Sequence, residues 1–182
     1  MLSRSPKIKA INLFAHSMGA MLTTDALMLA KLRGNGEFGG KLDTVVLASP
    51  DIDVDVFLAQ FDIIGRRPRQ TVILISRDDR ALKVSSRIAG DVVRVGAASP
   101  TDPASVAAIR KYGFTVIDLT ALQTSDRSNH TKFAASPLFL RRMAATLHLG
   151  LAHNGATVGS LIVDTAGAIL NAPAEIIRQV TR

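Results

Sequence analysis

Four apolar runs, separated by longer segments of helical pattern, predict that strands and helices alternate along the chain. The runs lie near residues 8–15, 42–48, 71–76 and 114–119. They show little polar alternation, which is typical of strands buried on both faces of a parallel sheet. We therefore expect an α/β fold, with a mostly parallel open sheet, right-handed crossovers and helices on both faces.

The segments between the runs carry signals of helices. Residues 18–33 are rich in Met, Leu and Ala, which predicts a buried helix that ends before a glycine-containing loop. A second helix is predicted over residues 80–88. A third is expected to begin at Asp102-Pro103, with Asp as the N-cap and Pro at the first helical position, and to end near Gly113.

The C-terminal region is less regular. A further helix is predicted over residues 137–149, where Pro137 would open it. We interpret residues 1–150 as one domain and residues 151–182 as a C-terminal extension. In that extension "VGSLIVDTAGAILNAP" favours a hairpin and "PAEIIRQV" a short closing helix.

Composition narrows the class of protein. The 182 residues include no cysteine, which excludes disulfides and cysteine metal sites and is compatible with the cytoplasmic location that we expect. No apolar run approaches the roughly 18 residues that span a bilayer, and no signal peptide pattern is present. The net charge of +7 is scattered, and Trp is absent, so we predict a solvated basic surface and no nucleic-acid partner.

A serine lies where the first apolar run gives way to the first helix, in "FAHSMGA". A turn this tight forces Ser17 into a strained conformation, and small residues at Ala15 and Gly19 would prevent clashes. The turn lifts the hydroxyl above the carboxyl edge of the sheet, and the N–H of Met18 at the helix start favours a developing oxyanion. Ser17 is therefore a candidate nucleophile, although a serine N-cap would give the same letters.

A serine nucleophile needs a base and an acid that orients the base. The third run ends in "SRDDRAL", and the fourth is followed by "QTSDRSNHTKF". Asp79 and His130 thus follow Ser17 in the chain order Ser, acid, His that α/β-hydrolases use. Asp79 is favoured as the acid because it lies directly before the next helix, with Asp78 as the fallback.

The sequence contains further candidates for the acid, the base and a metal site. Asp51, after the second run, is a third possible acid. His16 is expected to face sheet or helix packing, and His148 and His153, at or after the end of the predicted helix 137–149, fit the role of base less well than His130. The Asp51, Asp53, Asp55 alternation lacks the glycine and glutamate of a calcium loop, so we predict no metal site and no cofactor.

Together, "FAHSMGAMLTTDAL", "VVLASPDIDVDVF", "ILISRDDRAL" and His130 resemble a bacterial family of α/β-hydrolases in the esterase/lipase superfamily. The resemblance covers roughly residues 8–148, and most members are described only as hydrolases of unknown function. It implies that Ser17 is the nucleophile, Asp79 the acid and His130 the base. The partner is then expected to be a small-molecule acyl substrate.

One departure from that family is large. Its members carry several strands before the serine turn, and a loop among them supplies a second oxyanion donor. Here the turn comes close to residue 1, so we expect an N-terminally truncated, partial α/β-hydrolase fold in which only the Met18 N–H is assigned. An exposed edge on the first strand would invite pairing, including a homo-oligomer formed through that edge.

Overall fold

Strands and helices alternate along the chain in the predicted order. The structure is a computed structural model that describes residues 2–67, 70–135, 162–163 and 169–170. The strands of the main sheet are β1 (Ile11–His16), β2 (Leu42–Ala48), β3 (Thr71–Ile75) and β4 (Phe114–Asp118). The helices described are α1 (Met18–Leu32), α2 (Val54–Ile64), α3 (Arg80–Ile88), α4 (Pro103–Tyr112) and α5 (Lys132–Ala135), with 3-10 turns at Leu2–Arg4 and Val95–Ala97.

The sheet has the order β1-β2-β3-β4, and every neighbouring pair is parallel. All residues of β2 and β3 are buried, as continuous apolar runs predict for strands covered on both faces. The predicted α/β class and partial α/β-hydrolase fold are confirmed. Parallel strands bring their carboxyl ends to one edge, so the residues that follow β1, β2, β3 and β4 meet there.

The first strand is shorter than predicted. It begins at Ile11, not at Ile8, because its partner β2 begins at Leu42, directly opposite Ile11. The N–H of Ile11 donates to the carbonyl of Lys41 at 2.7 Å, and the residues before it have no strand of β2 to pair with. The boundary is therefore set by the partner strand, which a local pattern does not report.

The described helices are distributed unevenly over the two faces of the sheet. The larger apolar cluster joins one face of the sheet to α1, α2 and α4, through residues that include Leu27, Phe61 and Tyr112. The other face forms a smaller cluster, against which Phe133 of α5 packs. Right-handed crossovers between strands in sequential order place successive helices on the same face, which accounts for the larger cluster.

Helix ends follow local capping rules. The helix α3 has the predicted bounds 80–88, and α4 begins at Pro103 as expected. Gly113 ends α4 in a left-handed conformation, φ 72°, which glycine adopts without strain. Asp102 occupies the N-cap position, but its side chain makes no capping hydrogen bond.

The sequence pattern predicted no bounds for the helix α2. Its first turn gives a structural role to one of the three alternating aspartates, Asp51, Asp53 and Asp55. The Asp53 carboxylate accepts hydrogen bonds from the N–H groups of Asp55 at 2.7 Å and Val56 at 3.3 Å. Asp53 is therefore an N-cap.

The predicted helix over 137–149 lies outside the described residues, as does the closing helix near the C-terminus. Within the predicted hairpin, β5 (Ile162–Val163) and β6 (Ile169–Leu170) pair antiparallel, with Ile162 opposite Leu170. No helix in the described part of the chain has the length and apolar character required to cross a membrane.

Candidate active site

Ser17 occupies the turn between β1 and α1 in a strained backbone conformation. Its φ is 55° and its ψ is −127°, a region that costs a residue other than glycine about 1–3 kcal/mol. The turn is held by hydrogen bonds from the Ser17 N–H to the carbonyl of Ala48 at 3.0 Å and from the Ala20 N–H to the Ser17 carbonyl at 3.0 Å. The hydroxyl makes no helix-capping bond, so capping does not explain why a serine stands here.

Gly19 has free space on the side that faces away from its own helix. Apart from the neighbouring residues and the backbone of α1, a Cβ added at Gly19 would meet no heavy atom within 4 Å. Ala15, by contrast, is buried in the core on the other side of the turn. Among the described residues, no other element therefore demands glycine at position 19.

Asp79 and His130 are brought together at the carboxyl edge of the sheet. The Asp79 Oδ2 and the His130 Nδ1 lie 2.7 Å apart, and the Asp79 carboxylate is 0% exposed. Its other oxygen, Oδ1, accepts the N–H of Leu82 at 3.0 Å, which makes Asp79 the N-cap of α3. A carboxylate only accepts hydrogen bonds, so Nδ1 carries the proton and the Nε2 of a neutral His130 is left free to accept one.

The hydrogen bond that His130 donates to Asp79 raises the pKa of His130 above its ordinary value, although burial of the ring opposes the shift. The charges of Asp51 and Asp126 act in the same direction as Asp79. The environment therefore favours an imidazolium, the state that a general base reaches after it has accepted a proton.

Asp78, the fallback acid, is not the residue that contacts His130. Its two oxygens accept hydrogen bonds from the Lys132 Nζ at 2.9 and 2.8 Å, and one of them also accepts from the Ser76 hydroxyl at 2.6 Å. The Nδ2 of Asn129 donates to the other at 3.0 Å. Asp78 thus ties the loop that carries His130 to the end of β3.

Asp51, the third candidate acid, is also occupied elsewhere. Both of its oxygens accept from the Ser85 hydroxyl, at 2.8 and 2.9 Å, and it forms an ion pair with the Nε of Arg94 at 3.3 Å. These contacts join the end of β2 to α3. Of the three aspartates considered from the sequence, Asp79 is the one that contacts the imidazole of His130.

The loop before His130 is folded around a carboxylate. Asp126 accepts from the N–H and hydroxyl of Ser128 at 2.8 and 2.6 Å, and from the N–H and hydroxyl of Thr131, both at 2.8 Å. The carbonyl of Ser128 accepts the N–H of Arg80 at 2.8 Å, which fixes the loop to the start of α3. The loop that carries His130 is thus stabilised by hydrogen bonds within the loop itself.

His16 packs against a helix as predicted, since its ring centroid lies 5.0 Å from that of Phe133 in α5. The sequence analysis missed a second contact: the ring centroid of His130 lies 4.6 Å from that of His16. His16 is the last residue of β1, so Ser17 directly follows a residue whose ring contacts that of His130. Its position at a strand end, the criterion that selected Asp79, could have identified it. His148 and His153 lie outside the described residues.

Met18 begins α1, so its N–H belongs to the first turn, which has no acceptor within the helix. In the described part of the chain, no group of three or more His, Asp or Glu side chains is arranged to hold a metal ion. The groups that the structure places at this edge are the Ser17 hydroxyl, the His130 imidazole, the Asp79 carboxylate and the Met18 N–H.

Residues 1–147 match the model of a protein family described as "Alpha/beta hydrolase of unknown function (DUF900)". Comparison with curated proteins gave no match, and comparison with solved structures gave none either.

Proposed function

Because the chain belongs to this family of α/β-hydrolases of unknown function, we propose that it is a serine hydrolase of ester or related acyl substrates. The observation that carries the proposal is the 2.7 Å contact between the buried Asp79 carboxylate and the His130 imidazole. The contact lies at the sheet edge to which the strained turn brings Ser17. A buried carboxylate paired with an imidazole is the arrangement that activates a serine.

In the first half of the proposed reaction, the Nε2 of His130 takes the proton of the Ser17 hydroxyl while Oγ attacks the acyl carbon. The carbonyl oxygen becomes an oxyanion that the Met18 N–H and the positive end of α1 stabilise. The C–O bond to the leaving group then breaks, and the leaving alkoxide takes the proton from His130. An acyl-enzyme and a free alcohol result.

The second half runs through water. His130 removes a proton from a water molecule, whose oxygen attacks the acyl-enzyme carbon. The bond to Ser17 Oγ breaks, the proton returns to Oγ, and a carboxylic acid leaves. Over the cycle an ester and water become an acid and an alcohol. The structure shows no hydrogen bond between the described Ser17 Oγ and His130 Nε2. In the proposed reaction this bond forms in the substrate complex, because catalytic contacts often tighten only there.

Ser17→Ala tests the nucleophile. A fluorophosphonate probe should label the folded wild-type protein, because Oγ attacks phosphorus and expels fluoride, and the variant should lose the label completely. Intact-mass spectrometry would read one adduct per chain. The matched control is Ser86→Ala, on α3, which should label as the wild type does. Absence of labelling on wild-type protein with a cooperative unfolding transition would overturn the proposal.

A second candidate function is supported by a different observation. Phe14, Met18 and Leu22 are exposed by 48%, 68% and 71%, and among the described strands none pairs with the outer edge of β1. Exposed apolar side chains beside an unpaired strand edge favour association. The alternative is therefore a non-catalytic interaction domain that forms a homo-oligomer through this edge.

Sedimentation velocity, together with an esterase assay on the same sample, separates the two candidates. The hydrolase proposal expects esterase activity, and a monomer with such activity would exclude the interaction domain. A stable dimer that neither hydrolyses esters nor takes up the fluorophosphonate would favour the interaction domain.

A further inference from the structure

The backbone carbonyl of His130 receives two side-chain hydrogen bonds from neighbouring strands. The Nε2 of His16, at the end of β1, lies 3.2 Å from this oxygen. The hydroxyl of Ser49, directly after β2, donates to it at 3.1 Å. Neither bond is made by the loop that carries His130, so both bonds fix that loop relative to the sheet.

The two donors are themselves held in place. Ser49 is buried and has φ 43°, and its N–H donates to the carbonyl of Leu74 at 2.9 Å. His16 ends a paired strand, and its ring packs against those of His130 and Phe133. A side chain held by its own packing can position another to within the tolerance that catalysis needs.

We propose that His16 and Ser49 are positioning residues for His130: by clamping its carbonyl, they aim its ring at Asp79. With the clamp, three successive strand ends act on His130. The residues at the ends of β1 and β2 bind its backbone carbonyl. Asp79, which follows β3, binds its Nδ1. The proposal rests on the proposed function insofar as the clamped ring is the general base.

The charges around His130 are consistent with this role. Asp79 at the start of α3, Asp51 after β2 and Asp126 in the loop face it with negative charge, and His16 is the basic neighbour from β1. Burial lowers the pKa of His16, so at neutral pH its Nε2 donates as an uncharged N–H. The clamp therefore adds no positive charge beside the imidazolium that forms in the reaction.

The test is an NMR titration of the His130 imidazole in the whole chain, which requires neither substrate nor activity. Three variants probe the clamp: His16→Phe keeps a ring and removes the donor, His16→Gln keeps a donor near the position of Nε2, and Ser49→Ala removes the hydroxyl. Asp79→Asn supplies the reference for a base without its carboxylate. Ser86→Ala is the matched control for loss of a serine hydroxyl.

We expect the His130 midpoint in His16→Phe and Ser49→Ala to fall toward the Asp79→Asn value, because a loosened backbone weakens the bond between Nδ1 and Asp79. His16→Gln should recover part of the shift, and Ser86→Ala should match the wild type. The hydrolysis rate should fall about ten-fold in His16→Phe and in Ser49→Ala, mainly in kcat, as expected for loss of one hydrogen bond.

Unchanged midpoints in folded His16→Phe and Ser49→Ala would overturn the clamp. If His16→Phe does not fold, Ser49→Ala decides alone, because it removes one oxygen and keeps the Cβ that the native backbone conformation already accommodates. Shifted midpoints in a chain that hydrolyses no ester would support the clamp and contradict the proposed function. Ester hydrolysis together with unchanged His130 midpoints would support the proposed function and contradict the clamp.

Discussion

Asp79→Asn is expected to lower kcat by about 10⁴-fold while the fold is retained. The asparagine Oδ1 can still accept the N–H of Leu82 and cap α3, as the Asp79 carboxylate does at 3.0 Å. Its amide group, however, would face the Nδ1 of His130 as a donor. His130 would then carry its proton on Nε2, where it cannot accept the Ser17 proton.

Ester hydrolysis and the rate of fluorophosphonate labelling both measure this effect. The matched control is Asp53→Asn, the same substitution at the N-cap of α2, which makes no contact with the site. It should retain wild-type rates. If Asp79→Asn keeps more than about a tenth of the wild-type rate, the role proposed for Asp79 in setting the tautomer of His130 is contradicted.

The same variant gives a pH signature. Neutral His130 is the active form, so wild-type activity should rise with pH through the raised pKa of His130. Without the carboxylate that pKa falls, and the acid limb of the profile should move to lower pH. Stability has the opposite pH dependence: the charged pair stabilises the fold fully below the unfolded-state pKa of histidine, and this contribution is lost as pH rises through the raised pKa.

Asp78→Ala should destabilise the fold by about 3 kcal/mol, because it leaves a buried ammonium without its counter-charge. The Lys132 side chain is 3% exposed, and apart from Asp78 its Nζ contacts the carbonyls of Leu119 at 3.4 Å and Thr120 at 2.7 Å. These two carbonyls are neutral, so they do not compensate the ammonium charge as the Asp78 carboxylate does. Urea unfolding at constant m value would measure the loss.

Lys132→Met is the reciprocal change, and its cost should be clearly smaller. The Asp78 side chain is 40% exposed, so water can solvate its charge once the lysine is gone. The double variant should recover much of the stability that Asp78→Ala loses, which a double-mutant cycle would detect. Equal losses in the two single variants would contradict this asymmetry.

Acid should also weaken this pair. Partial burial raises the pKa of Asp78, but the hydrogen bonds from Lys132 and Ser76 outweigh it and lower the pKa below the ordinary value. The pair therefore stabilises the fold above the ordinary carboxyl pKa, and the contribution is lost as pH falls through the lowered value.

Much of the fold could be predicted because its signals are local. The apolar runs located β2, β3 and β4, and the bounds of α3 follow from an N-cap and a helical period. The start of β1 was missed by three residues because the partner strand sets it. The helix α2 received no bounds because the aspartates that open it also resemble a loop.

The candidate site could be predicted only as far as strand ends determine it. Chain order and the ends of the strands selected Ser17, Asp79 and His130, and the structure brings Asp79 and His130 into contact. The contacts of His16 and Ser49 depend on how the loop after β4 folds back across the sheet edge. Those contacts join residues 114 and 81 positions apart in the chain, so a local pattern can mark the strand ends but not the contacts themselves.

The unequal demands on Ser17 and Asp79 have an evolutionary consequence. Asp79 caps a helix whether or not any ester is cleaved. In a lineage that has lost hydrolysis, selection for a stable fold would therefore still conserve Asp79. Ser17 makes no capping bond and occupies a conformation that glycine adopts more readily. In such a lineage we expect Ser17 to be replaced early, often by glycine, which makes position 17 a better marker of activity among relatives than position 79.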